Sequence, residues 1–555
     1  MSKTVIGIDF GTLSGRAVVV AVSDGQVLGS AEHAYRHGVI DRELAGQPLP
    51  PDWALQVPAD YVEVLGKVVP AALTDSGVDP SSVVGLAIDF TSCTVFPTDM
   101  DYEPLCEKPE FRERPHAYVK LWKHHASQAQ GRIVNQVLAE KAPETLTRYG
   151  GEVSADWQLA KALAVFQEDR EVWDATAHFV EAGDWIVQRL TGKLTGARSL
   201  AGYKGNFVDG AHPAPEVLEA MAPGFSRLLD ILPEPTAHPG DKVGELTAEA
   251  ADLTGLPAGI AVAAANIDAH ATVPAANACE PGQLTLIMGT STCHMMTSES
   301  FGEVPGIGGI VPDGIVKGLW GYEAGQAGVG DIFGWFVNTC VPAEYVEAAA
   351  AHGLGVHEYL TELAAAQEVG EHGLLALDWH SGNRSILDDT ELTGLMVGTT
   401  LTTTPEDQYR ALLEATAFGT RVIIESFRKA GVEVGDLVIA GGLVKNPLLM
   451  QIYADVTNLP LAICESVASG AHGSAIYAAV AAGEYADVRE AAPRMASREA
   501  SSETTFTPIP ENVAAYDALY REYRTLHDYF GTGSNEVMHR LKARRREILI
   551  AKASS

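Results

Sequence analysis

The sequence predicts an α/β fold built twice over, two lobes around a central cleft, and three observations lead to that reading. Val5 to Val20 is a pair of apolar runs joined by a polar, glycine-bearing reversal, the pattern of a β-hairpin whose turn is large enough for a phosphate. A second run of the same kind, Leu284 to Met296, reverses at Gly289-Thr290-Ser291-Thr292. Gly11-Thr12 and Gly289-Thr290 stand about half the chain apart, which points to an internal duplication.

Each hairpin tip carries its own chemistry. The first offers the carboxylate of Asp9, the hydroxyls of Thr12 and Ser14, the guanidinium of Arg16 and the free N–H groups around Gly11, a set suited to a polyphosphate with Mg²⁺. The same residues would also serve an ordinary hairpin with a polar tip. Two such tips at half-chain spacing favour two lobes gripping one nucleotide from opposite sides.

Length and composition bound the rest. A chain of 555 residues allows about two to four domains. Hydrophobic and charged fractions of 46% and 20% are those of a globular protein. With 72 acidic against 39 basic residues and a net charge of −33, neither nucleic acid nor an anionic membrane is expected as the main partner. Cys93, Cys106, Cys279, Cys293, Cys340 and Cys464 have no Cys-x-x-Cys spacing and read as reduced thiols of a cytoplasmic protein. No apolar stretch approaches the roughly 20 residues of a membrane span, and no signal peptide is evident.

Along the chain, residues 38–58 hold several prolines and read as a surface excursion. Leu86-Ala-Ile-Asp89 is a strand that ends in Thr91-Ser92-Cys93-Thr94, and ligands gather at strand ends, so Ser92 is a candidate contact as well as a plain turn residue. Val119 to Leu138 has a helical pattern; its adjacent His124 and His125 lack the i, i+4 spacing of helical metal ligands. Further helices are expected near 154–166 and around Trp185, and a loop at Gly202-Tyr203-Lys204-Gly205. Ile260 to Ala265 is a small-residue strand with Asp268 just beyond it, where a carboxylate can face a ligand in a cleft of low dielectric.

In the second half, glycine recurs densely from 302 to 334, interleaved with Trp320, Tyr322, Phe333 and Trp335. That mixture suggests backbone folded tightly rather than a linker. Thr404 as N-cap, Pro405 at the first helical position and acidic Glu406 and Asp407 start a helix that Gly431 ends. Val438-Ile-Ala-Gly441-Gly442 is a strand entering a diglycine turn, with Asn446-Pro447 ahead of another helix; the turn is either simple close packing or a place where backbone passes beneath a nucleotide. Ser469 to Ser474 begins a glycine-rich helix, and Asn512 to Phe530 carries apolar residues at helical intervals that should dock on the body. The final basic cluster, Lys542 and Arg544 to Arg546, reads as a solvated helix face or as a contact with a second copy, so a homodimer stays open.

Asp9-Phe-Gly-Thr-Leu-Ser-Gly-Arg16, Gly289-Thr-Ser-Thr-Cys-His-Met-Met296 and Ala440-Gly-Gly-Leu-Val-Lys-Asn-Pro447 together resemble the phosphate and adenosine segments of the FGGY carbohydrate kinases. Asp89-Phe-Thr-Ser-Cys-Thr94, Lys120-Leu-Trp-Lys-His-His125, Gly202-Tyr-Lys-Gly205, Asn266-Ile-Asp-Ala-His270 and Gly321-Tyr-Glu-Ala-Gly-Gln326 resemble the branch of that family acting on L-ribulose. The resemblance implies the duplicated actin/hexokinase/Hsp70-like (ribonuclease H-like) fold. It divides the chain into a sugar-binding lobe at 1–272, a nucleotide lobe at 273–490 and a docking helical tail at 491–555.

The same resemblance implies ATP-dependent phosphorylation of L-ribulose, or of related 2-ketopentoses, at the terminal hydroxyl, in arabinose catabolism. Asp268 takes the place of the family's catalytic base. Ser92, Trp122, Lys123, Lys204 and Glu323 would face the sugar. Gly11, Thr12, Ser14, Arg16, Gly289, Thr290 and Ser291 would hold the phosphates of ATP, Gly441, Gly442 and Asn446 the adenosine, and Asp9 a Mg²⁺ through water. Ala265 and Asn266 before the base, and His270 after it, depart from many family members and set xylulose and glycerol behind L-ribulose as substrates. A nucleotide switch without catalysis would leave Asp268, Lys204 and Glu323 without a role.

Overall fold

In the computed structural model, which describes residues 2–464, 468–496 and 505–553, the opening runs form β1 (Thr4–Phe10) and β2 (Ser14–Ala21), paired antiparallel. Val5, Ile6, Ile8, Val18, Val19 and Val20 are all fully buried, so both faces of the hairpin need cover. Helix α1 (Pro58–Ser76) packs on β2 and on β3 (Val27–Ala34), which continues the sheet. β4 (Val83–Phe90) lies parallel to β1 on its other side. Then come α2 (Gln158–Glu168), α3 (Ala182–Thr191), α4 (Arg198–Lys204), β5 (Lys242–Glu245), β6 (Ala261–Ala263), β7 (Asn266–Ile267) and α5 (Asp268–Ala275). The sheet order is β5-β6-β4-β1-β2-β3, with β7 also beside β4.

The second sheet repeats this plan. It uses β8 (Gln283–Met288), β9 (Thr292–Ser298), β10 (Gly309–Pro312) and β11 (Trp320–Gln326), followed by helices α6 (Gly330–Thr339) and α7 (Pro405–Lys429). β12 (Asp436–Ala440), α8 (Pro447–Thr457), β13 (Leu461–Ile463), α9 (Ser469–Ala481), α10 (Val488–Met495) and β14 (Thr505–Phe506) complete it. The order is β10-β11-β9-β8-β12-β13-β14. In both sheets an antiparallel hairpin is flanked by an antiparallel strand on one side, and on the other by two parallel strands and a final antiparallel one. The duplication read from two turns therefore extends to six strands of each sheet, with β10 an added edge strand in the second and β7 an addition to the first.

Two helices join the halves. A Cβ at Gly473 of α9 would lie 1.6 Å from the Ala271 carbonyl of α5, and a Cβ at Gly7 of β1 would lie 1.8 Å from the Ala471 carbonyl. The backbones of α5, α9 and β1 thus touch where any side chain would hold them apart. Residues of α9 and α10 accordingly belong to the core of the first sheet, although most strands of the second precede them in the chain; α9 falls within the segment 273–490 and α10 runs past its end.

Two expected elements are corrected. Val119 to Leu138 is not one helix: Val119–Lys120 is a short strand against Leu55 and Gln56, a turn carries Leu121 to His125, and the helix begins at Gln128. Lys120 is fully buried with its ammonium donating to the His116 carbonyl at 2.9 Å, a tertiary arrangement that no periodicity announces. Gly202 to Lys204 belongs to α4 rather than to a loop. Its glycine serves close packing, since a Cβ at Gly202 would meet Val311 at 2.5 Å.

The tail forms α11 (Pro510–Gly531) and α12 (Val537–Ala553). Tyr516, Tyr520 and Tyr523 bury against the second lobe, and the first two donate to Glu414 and Glu425. Within the basic cluster Arg546 pairs with Glu391, an exposed contact of small energetic weight. Among the described residues no helix is long and apolar enough to cross a membrane.

Candidate active site

The site begins at the ends of three strands. Asp9 of β1 stands opposite Asp89 of β4, Asp89 stands opposite Asn266 of β7, and Asp268 follows as the first residue of α5. Three carboxyl groups therefore meet at the C-terminal edge of the first sheet, the edge where α/β sheets bind ligands. Asp89 is fully buried; its Oδ2 accepts from Ser474 Oγ at 2.6 Å, and Oδ1 has no partner among the described residues. A Cβ at Gly470 would lie 3.3 Å from that Oδ1 and 3.5 Å from Asp9 Cγ, so the first turn of α9 closes directly on the pair.

Electrostatics at this edge are strained toward protonation. Burial raises the Asp9 carboxyl, opposed by the neighbouring Asp89 carboxyl and then by the Arg16 charge. Burial, and after it the Asp9 charge, pushes Asp89 well above the usual carboxylate range. Two buried carboxyls this close cannot both ionise cheaply unless a cation joins them. No group of three or more metal-ligating side chains occurs among the described residues. Asp9 and Asp89 fit instead a hard cation that keeps most of its water and takes phosphate oxygens, the habit of Mg²⁺.

Asp268 is held by the Ala269 N–H, which donates to Oδ1 at 2.7 Å. Its pKa is pushed up to about 7, by burial first and by the Asp9 charge second, against the pull of the Ala269 N–H and Lys204. A carboxyl poised near neutrality in a cleft is suited to exchange a proton.

The opposite wall belongs to the second lobe. Glu323 on β11 accepts from Arg384 Nη2 at 2.6 Å through Oε1, and its Oε2 lies 3.1 Å from His270 Nε2. His270 is fully buried, with its ring edge-on to Tyr203 at 4.2 Å between centroids. Burial opposes the charge of Glu323, but His270, Lys204 and Arg384 overcome it and hold the carboxylate ionised. Lys204 ends α4; burial works against its charge, and the carboxylates of Glu323 and Asp156 more than restore it.

Ser92 and Trp122 complete the polar rim. The Ser92 hydroxyl is buried without a partner among the described residues. Lys161 of α2 donates to the carbonyls of Cys93 at 2.7 Å and Leu121 at 2.9 Å, tying the turn after β4 to the turn that carries Trp122 and Lys123. Trp122 Nε1 donates to Thr12 Oγ1 at 3.0 Å, so the turn that carries Trp122 and Lys123 touches the first hairpin tip. Lys123 is partly exposed beside it.

The two tips are built alike. Gly11 N donates to the Ser14 carbonyl and Gly289 N to the Ser291 carbonyl, each closing a tight reversal. The second tip is seated on α6, whose Gly330 and Asp331 N–H groups donate to the carbonyls of Gly289 and Thr290. Cys293, just beyond that tip, lies 3.9 Å from Arg384 Nη1, which also holds Glu323. Glu323 binds His270, and Asp268 opens the same helix, so the second tip is tied through Arg384 and Glu323 to the helix that Asp268 begins. Gly441 has φ of 102°, and a Cβ there would lie 2.3 Å from the Met288 carbonyl, so the diglycine turn passes directly under the strand that leads into the second tip.

Some expected residues have other partners. Ser14 Oγ and Arg16 Nη2 each bind Glu32 of β3 at 2.7 Å, so neither points freely at a phosphate. Asn446 caps α8, with Oδ1 accepting from the Leu449 N–H and Nδ2 donating to Thr361 Oγ1, so it is already engaged at both ends. Gly442 has open space above it. Both oxygens of Glu323 are bound within the protein. Asp89, Ser474 and Arg384 were not singled out from the sequence. Asp89 could have been, as an acid at the end of an apolar strand; Arg384, in a polar loop, carried no local signal.

The first half of the chain, residues 4–274, matches the N-terminal domain of the FGGY family of carbohydrate kinases, and residues 284–482 match its C-terminal domain. The chain is 56% identical over 547 residues to a ribulokinase of Mycolicibacterium smegmatis, covering 98% of this chain and 96% of that one. A ribulokinase of Geobacillus thermodenitrificans is 50% identical over 552 residues, covering 97% of each. Among solved structures it is similar to xylulose kinase from Rhodospirillum rubrum, with a TM-score of 0.78 at 25% identity over 95% of this chain and 98% of that one. Gluconate kinase from Lactobacillus acidophilus shares the fold, with a TM-score of 0.79 at 17% identity over 96% and 99% of the two chains.

Proposed function

The chain belongs to the FGGY family of carbohydrate kinases, and from that premise we propose that it transfers the γ-phosphoryl group of ATP to the 5-hydroxyl of L-ribulose, giving L-ribulose 5-phosphate and ADP. The observation that carries the chemistry is Asp268, a carboxyl pushed up to about 7 where the two lobes meet. The ketopentose follows from the relatives named ribulokinase that match nearly the whole chain.

In this reading Asp268 accepts the proton of the 5-hydroxyl as its oxygen bonds to the γ-phosphorus, and the bond from that phosphorus to the bridging oxygen breaks to release ADP. Lys204 and Glu323 bind the sugar's carbonyl and hydroxyls, with the unpaired hydroxyl of Ser92 and the Trp122-Lys123 turn alongside. Such contacts reject sugars lacking the matching group, because the buried partners would be left bare. The backbone and hydroxyls of Gly11-Thr12 and Gly289 to Ser291 cradle the phosphates; Ser14 and Arg16 would join them only by leaving Glu32. Gly441 and Gly442 let the adenosine end approach the backbone, with Asn446 shaping the helix start beneath it. Asp9 and Asp89 would hold Mg²⁺, with water between; that ion supplies charge neutralisation on the phosphates. The enzyme works on free pentulose in the cytoplasm.

A coupled ADP-release assay with Mg²⁺ and a panel of L-ribulose, D-xylulose and glycerol tests the proposal. L-ribulose should give a kcat/KM at least about tenfold above the others. Turnover confined to xylulose or glycerol would overturn it.

A further inference from the structure

We propose that Arg384 is a positioning residue that sets sugar recognition by clamping Glu323 in the conformation that meets the substrate. The inference rests on the sugar-kinase reading of the same site. Arg384 lies in the loop between the short strands Leu375–Leu377 and Leu395–Val397, remote in sequence from every motif of the site. Its guanidinium lies across the face of the second sheet. A Cβ at Gly325 would be 2.9 Å from Nη1 and 3.2 Å from Cζ, so the missing side chain of Gly325 leaves the space in which it rests. Nη2 donates to Glu323 Oε1 at 2.6 Å, while Nη1 reaches 3.9 Å from Cys293 Sγ beside the second tip.

The other oxygen of Glu323 is held from the opposite side by His270. Gripped at both oxygens by groups on different elements, the buried carboxylate keeps one rotamer. Each oxygen still has a second lone pair for a sugar hydroxyl. Lys204 is an alternative partner for that carboxylate, since among the charges around it Glu323 exerts the strongest attraction on its ammonium. Released from Arg384, Glu323 would swing to Lys204 and neutralise both sugar-binding groups at once. The role needs the forked guanidinium, which spans Cys293 and Glu323; an ammonium offers only a point charge.

A double-mutant cycle tests this. L-ribulose and ATP kinetics are measured for the unmodified enzyme, Arg384→Met, Arg384→Lys, Glu323→Gln and the Arg384→Met/Glu323→Gln pair, each with a thermal melt. Arg384→Met should raise the sugar KM by about 10- to 100-fold and leave the ATP KM within about threefold, with Arg384→Lys intermediate. In the Glu323→Gln background, Arg384→Met should cost less than about threefold more, because its effect runs through Glu323. A sugar KM unchanged in Arg384→Met, equal losses toward ATP, or full multiplicativity in the pair would overturn the inference. Should Arg384→Met fail to fold, the Lys variant and its own pair with Glu323→Gln decide by the same criteria. If the unmodified enzyme phosphorylates a different sugar, the L-ribulose reading fails while the cycle on that sugar still decides the role of Arg384.

Discussion

Replacing Asp268 with Asn should damage catalysis and strengthen the fold at the same time. Asn has nearly the same shape and keeps an acceptor for the Ala269 N–H, but it cannot take a proton. A positioned general base contributes about 10²- to 10⁴-fold, or roughly 3 to 5 kcal/mol. Turnover should fall by that factor while the ATP KM stays within about threefold. Stability moves the other way. Burial and the Asp9 charge carry the carboxyl from 3.8 to about 7, and each tenfold in a proton equilibrium is worth about 1.4 kcal/mol, so ionising it in the fold costs at most about 4.5 kcal/mol.

The folded pKa lies above the unfolded one, so the cost is absent at low pH, grows as only the unfolded carboxyl ionises, and is complete once pH passes about 7. Asp268→Asn should therefore melt above the unmodified protein at about pH 8, with more than half of that gain lost by about pH 5. The unmodified enzyme's kcat/KM should show an acid limb near pH 7. Melting curves at both pH values and a coupled kinase assay read these effects. Turnover above about a tenth of the unmodified enzyme, or a melting point that falls at the higher pH, would refute the reasoning.

Lys204→Met should raise the sugar KM at least about tenfold with little change toward ATP, as seen in separate titrations of the two substrates. Gly441→Ala places a Cβ 2.3 Å from the Met288 carbonyl at a φ of 102°; a loss of roughly 1 to 3 kcal/mol in denaturant melts and a raised ATP KM should follow. Chelation with EDTA should abolish turnover and excess Mg²⁺ restore it. Asp9→Asn should then require more metal for half-maximal rate, read from a Mg²⁺ titration.

Local features of the fold were legible because their causes are local. The hairpins announce themselves by apolar runs around glycine turns, and α7 by Thr404, Pro405 and the Asp407 side chain that returns to the Thr404 N–H. Asp9 near the end of β1 and Asp268 just past β7 were legible as acids at strand ends, whereas Asp89, placed in the same way on β4, was passed over. What local pattern did not reveal has tertiary causes. Lys120 looks like a solvent lysine and is buried against the His116 carbonyl. Gly202 looks like a loop residue and is a packing notch for Val311. Ser14 and Arg16 look like phosphate ligands and bind Glu32, which sits on a third strand and is brought opposite Arg16 only by sheet register.

By itself the sequence determined the repeated hairpin, the acidic groups at strand ends and the glycines without which α5, α9 and β1 could not touch, since each depends on neighbours a few residues away or on backbone sterics. Only the tertiary structure decided which side chains face one another. Crossing α9 over the first sheet brings Ser474 to Asp89, and folding a remote loop over Gly325 brings Arg384 to Glu323. Those pairings are set by the packing of elements 385 and 61 residues apart in the chain, and burial then sets the proton affinities of Asp89 and Asp268 on which the proposed chemistry rests.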